Sequence, residues 1–123
     1  TRTRTDLSVA PDRNPPFMLM SDGDVRNSYT LKLRNMQSRP REMEISLQGL
    51  KGAVMWTDGM PREAAARSLR MTVAADAIQT VRAYVVVPSG TPGSSFAFHL
   101  RTLDAAPESD TSETSFVTPG DDE

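Results

Sequence analysis

Seven methionines and one histidine are the soft and imidazole donors of this 123-residue chain, which has no cysteine. Met18 and Met20 are separated by one residue, which in an extended segment puts both thioethers on one side. Thioether sulfur selects cuprous copper, so Met18, Met20 and His99 form a candidate copper set. Methionine also fills irregular gaps in cores. Met43 and Met71, both in the apolar phase of their segments, suit that role. The lack of cysteine excludes disulfides, thiolate metal sites and thiol catalysis.

Acid–base and nucleophilic chemistry find less support. A serine nucleophile needs a base beside it, and Ser94 and Ser95 lie near His99 in sequence with no orienting acid in reach. Alternation with Phe98 and Leu100 turns His99 toward solvent. Asp22 and Asp24 are a carboxylate pair that could exchange protons, but around Gly23 they read more simply as a capped turn. The same loop lacks the following glutamate of a calcium site. Glycine-rich phosphate loops, metal-spaced histidine pairs and basic–aromatic arrays are missing from the sequence. The residues therefore assign no catalytic group, no metal ligand beyond the copper candidates and no cofactor, and the chain reads as a non-enzyme.

The elements that would carry these residues are strands. Tyr29, Leu31 and Leu33 alternate with polar residues over 28–35, and Met43, Ile45 and Leu47 do so over 42–48. A period of two gives each strand one apolar and one polar face. Leu7 and Val9, Phe17 and Leu19, Ala53–Trp56, Leu69–Val73, Val81–Val87 and Phe96–Leu100 continue the series, with glycine and proline turns between them. Pro61 followed by helix formers predicts at most a helical turn near 62–66. About seven strands predict an all-β, immunoglobulin-like sandwich of two sheets over residues 1–105. In that arrangement Glu42 and Glu44 would face the strand carrying Arg82. Outward Tyr84 and Val86, beside Ala97 and His99, would form a contact face.

The net charge of −2 conceals an asymmetry. Residues 1–103 carry 14 basic residues against nine acidic, whereas 104–123 carry seven acidic residues and no basic one. That stretch has too little apolar content to offset the entropy of ordering. Residues 106–123 are accordingly expected to form an acidic, mostly disordered tail. The basic body has scattered arginines and few aromatics, which argues against nucleic acid. The sequence starts at Thr1 without an apolar span or signal peptide, and reads as a piece of a longer protein.

Asp12-Arg13-Asn14-Pro15, Ser21-Asp22-Gly23, the run from Val25 to Leu33 (Val-Arg-Asn-Ser-Tyr-Thr-Leu-Lys-Leu) and Asn35 together resemble the C-terminal domain of the FixG (CcoG) family, cytochrome c oxidase accessory proteins. Gly49-Leu50, Val81–Pro88 and Ser115–Pro119 extend the resemblance over nearly the whole chain. It implies that 115–119 is a short pairing segment within the tail. It also implies a parent protein in the bacterial inner membrane, with transmembrane helices and iron–sulfur clusters held by cysteines outside this region. That parent would assist assembly of the cbb-type oxidase, by reducing cupric copper. The present domain would be its immunoglobulin-like periplasmic part, free of cofactors, docking an oxidase subunit, a copper chaperone or the parent's own membrane domain. A cuprous copper carrier and a generic extracytoplasmic adhesion or spacer domain are the alternatives. The motif residues Asp12, Arg13, Asn14, Pro15, Asp22, Gly23, Arg26, Asn27 and Tyr29 would be structural. Arg13 and Arg26 would pair with Asp12 or Asp22, Asn27 would bond local backbone, and Tyr29 would fill the core.

Overall fold

The period-two segments become strands of two antiparallel sheets packed face to face. The computed structural model describes residues 5–12, 17–104 and 107–118. The first sheet contains β1 (Thr5–Pro11), β3 (Val25–Asn35), β7 (Ala77–Val87) and β5 (Val54–Thr57), in that order, with the two-residue β2 (Met18–Leu19) on β3. The second contains β6 (Ser68–Val73), β4 (Arg41–Gln48), β8 (Ser94–Thr102) and β9 (Ser109–Phe116). No α-helix occurs among the described residues; the helix formers after Pro61 make one 3₁₀ turn, Arg62–Ala64. The architecture is an immunoglobulin-like sandwich.

Between the sheets lie the side chains that alternation assigns to the interior. Tyr29, Leu31, Leu33, Met43, Ile45, Val85, Phe98 and Leu100 are all buried, and each such apolar side chain contributes about 1.5–3 kcal/mol. Tyr29 meets Phe96 and Phe98 edge-on, with centroids 5.7 and 5.3 Å away, the geometry that aromatic quadrupoles favour. Asn35, buried at the end of β3, donates to the carbonyls of Arg39 (2.9 Å), Val73 (3.2 Å) and Ala74 (3.1 Å).

After β4 the chain turns through Gly49 and Leu50, both at positive φ (87° and 55°), and crosses to the first sheet. Arg67 fixes this crossing by donating to the carbonyls of Leu47, Gly49, Leu50 and Ala53 at 2.7–3.2 Å.

Two expectations are overturned. Residues 109–116 are not a disordered tail. They form β9, which pairs along its full length with β8, from Ser94↔Phe116 to Arg101↔Ser109. A composition rule tests whether a segment can bury enough apolar surface to fold alone, whereas β9 adds to an edge already built by β8. Secondly, Glu44 does not face the strand of Arg82. β4 pairs with β6 and β8, and Glu44 contacts Arg101 at 2.8 Å and Arg70 at 3.5 Å. Strand β7, which carries Arg82, pairs with β3 in the opposite sheet.

Candidate functional site

Polar side chains that could do chemistry fall into two groups, one inside a seam and one on an open face. The seam lies between β1 and β9. Here Arg41, with its side chain 0 % exposed, donates from Nε and Nη2 to Asp104 (2.8 and 3.2 Å) and from Nη1 to Glu108 (2.7 Å). Thr5 and Thr102 hydroxyls accept two further bonds from it, at 3.2 and 3.1 Å. The bond to Asp104 outweighs the desolvation of burial and raises the already high pKa of this guanidinium. At the other end of the seam, the Asn27 amide both donates to the Val117 carbonyl and accepts from the Val117 N–H, each at 2.9 Å. The Tyr29 hydroxyl donates to the Ser115 carbonyl at 2.8 Å. Burial pushes the Tyr29 phenol well above its ordinary pKa.

Asn27 therefore bonds a segment 90 residues away, not local backbone. Asp22 accepts from the Asp24 N–H at 3.1 Å around Gly23, whose φ of +92° suits glycine. Neither Asp12 nor Asp22 pairs with Arg26: Asp12 pairs with Arg82, and Asp22 and Asp24 both contact Arg62 at 3.5 and 3.2 Å. Arg13, Asn14 and Pro15 lie outside the described residues.

The open face is the outer surface of the β1-β3-β7-β5 sheet. Because Ala83 and Val85 point inward, Tyr84 points outward, and so does its cross-strand partner Trp56, which its neighbours cover to 8 % exposure. Their rings stack at 5.6 Å and 30°. Arg62 lies over Trp56 (5.9 Å), while Arg26 and Arg82 lie over Tyr84 (5.0 and 6.0 Å). Asp58 accepts from the Tyr84 hydroxyl at 2.6 Å, and this bond, followed by burial, holds the phenol above its usual range. Next to this stack, Met18 sits opposite Arg26 and Leu19 opposite Val25 in the β2–β3 ladder. They are 43 % and 61 % exposed.

The expected contact face of Tyr84, Val86 and His99 does not assemble. Val86 is only 4 % exposed, and His99 belongs to the second sheet, with Nδ1 2.8 Å from the Thr111 hydroxyl. Of the three, Tyr84 alone remains on the platform. The same topology separates His99 from Met18 and Met20, which lie on the opposite side of the sandwich. Sequence reading missed Trp56, Arg62 and Arg82 because their partners come from distant strands. The outward Arg82-x-Tyr84 pair was the available signal. Among the described residues no three His, Asp or Glu side chains cluster as metal ligands, and no helix is long and apolar enough to cross a membrane.

Two sheets in this order, with the polar clamps at the β9 seam, define an immunoglobulin-like sandwich domain. Over residues 1–119 the chain matches the family described as "IG-like fold at C-terminal of FixG", and it belongs to that family. It is 38 % identical over 89 residues to protein RdxA of Cereibacter sphaeroides, covering 72 % of this chain and 18 % of RdxA. It is 35 % identical over 91 residues to nitrogen fixation protein FixG of Rhizobium meliloti, covering 72 % and 17 %. The chain thus spans under a fifth of the length of these relatives. A crystal structure of a FixG-related protein from Vibrio parahaemolyticus has the same fold, with a TM-score of 0.73 at 18 % identity, covering 96 % of this chain and 99 % of that one.

Proposed function

We propose that this domain is a non-catalytic docking module of a membrane-bound iron–sulfur protein, standing on the periplasmic side and assisting assembly of a cbb-type oxidase. The carrying observation is the Trp56–Tyr84 stack with three arginines on it. Tryptophan, tyrosine, arginine and methionine are the side chains enriched where proteins bind one another. The buried polar groups of the β9 seam, in contrast, are engaged with the domain's own chain. The family's description carries FixG as a candidate oxidoreductase. The redox centre of such a protein would lie outside this cysteine-free chain, leaving recognition to the domain.

The test is Tyr84→Ala in the full-length protein, with assembled oxidase measured in membranes. Truncating an interface anchor removes about 2 kcal/mol or more of binding, so assembly should fall while the protein still accumulates. Undiminished assembly would refute the reading. A second reading, cuprous copper binding, draws on the exposure of Met18. With His99 on the far side it rests on two thioethers, and docking is the better supported.

A further inference from the structure

The geometry points to Arg26 as the anchor for a carboxylate of a partner protein, a side chain flanked by an apolar residue that lies on Met18. This inference rests on the docking reading and names the chemistry of the partner. Three arginines lie on the aromatic pair, and two have acids of their own: Arg62 has Asp22 and Asp24, and Arg82 has Asp12. Among the described residues no carboxylate pairs with Arg26. Its Nε is buried without a hydrogen-bond partner, and its Cζ lies over the Tyr84 ring, 5.0 Å from the centroid. Its neighbours in sequence, Asn27 and Tyr29, are occupied with the β9 seam. A guanidinium held on an aromatic ring offers a planar fork that fits a carboxylate with two parallel hydrogen bonds.

Charge complementarity on this face narrows the partner further. Of the three arginines on the aromatic stack, Arg62 and Arg82 already have acids, which leaves Arg26 to take a carboxylate. Directly beside it, its cross-strand partner Met18 (43 % exposed) supplies apolar surface. The complement is an acid next to an aliphatic or aromatic side chain.

A displayed library of random short peptides, selected on the 123-residue chain, tests this. Trp56 is the single tryptophan and lies in the stack, so its fluorescence reports binding. Enriched peptides should carry Asp or Glu beside an apolar residue. Arg26→Gln should weaken them at least about tenfold, with unchanged thermal stability. Met18→Glu, which places a carboxylate opposite Arg26 within the chain, should weaken them similarly. Peptides lacking an acid, or equal binding to Arg26→Gln, would overturn the assignment. Tighter binding after removal of residues 119–123 would overturn it too, since the chain's own acidic terminus would then be the occupant. If Tyr84→Ala abolishes oxidase assembly in the full-length protein but Arg26→Gln does not, docking stands and the carboxylate anchor fails.

Discussion

The β9 seam and the outer face over β5 and β7 both use arginine, in opposite ways. Arg41 is fully enclosed and gives its bonds to Asp104, Glu108, Thr5 and Thr102 of its own chain. Arg26 lies on a ring and has no acid among the described residues. In the seam, charge replaces the apolar surface that β9 lacks, since of its eight residues only Phe116 is a buried hydrophobe. On the face, charge is exposed over aromatic surface and remains available. A polar group matched inside the fold specifies which strand goes where, and an unmatched one on a rigid platform specifies what binds.

The largest effect that would sharpen this contrast comes from exchanging the two arginines for methionine. Removing Arg41 leaves two partly buried carboxylates without their main partner, a loss of about 3–5 kcal/mol. Removing Arg26 should change stability by no more than about 0.5 kcal/mol. Urea denaturation of both variants measures the difference, and similar losses would break the contrast.

A smaller effect concerns Glu44 on the outside of the second sheet, opposite Arg70 and Arg101 in the ladder. The bond from Arg101 holds its carboxyl below the usual carboxylate range. The folded state therefore binds fewer protons here than the unfolded chain. Its contribution is present at neutral pH and is lost as pH falls through the ordinary carboxylate pKa of about 4 and then the lower folded value. With both arginines exposed it amounts to about 0.2–1 kcal/mol. Urea midpoints for Glu44→Gln should lie below the parent near about pH 7 and converge with it near about pH 3. A gap that persists in acid would show that Glu44 acts through packing.

The core was legible because β3 and β4 alternate apolar and polar residues over seven positions, and Val81, Ala83 and Val85 in β7 and Phe96, Phe98 and Leu100 in β8 keep the same spacing of two. β9 was not, since Ser-Asp-Thr-Ser-Glu-Thr-Ser-Phe has no apolar face. Missing that last strand shifts the others: the sequence places Val81–Val87 beside β4, a position that β8 occupies. The same shift drew Tyr84 and His99 onto one imagined face. Period two did turn Tyr84 outward. Only strand order could bring Trp56 beside it, and strand order depends on contacts between residues far apart in sequence.

The most direct test removes one oxygen from each region. Tyr29→Phe deletes the hydroxyl that bonds the Ser115 carbonyl in the seam, and Tyr84→Phe deletes the one that bonds Asp58 on the face. Denaturant unfolding should record a loss of about 0.5–1.5 kcal/mol for Tyr29→Phe, which removes a partly buried hydrogen bond. For Tyr84→Phe it should record a change within about 0.5 kcal/mol. Equal losses, or a larger one for Tyr84→Phe, would contradict the division of the domain into a seam that holds it together and a face that binds.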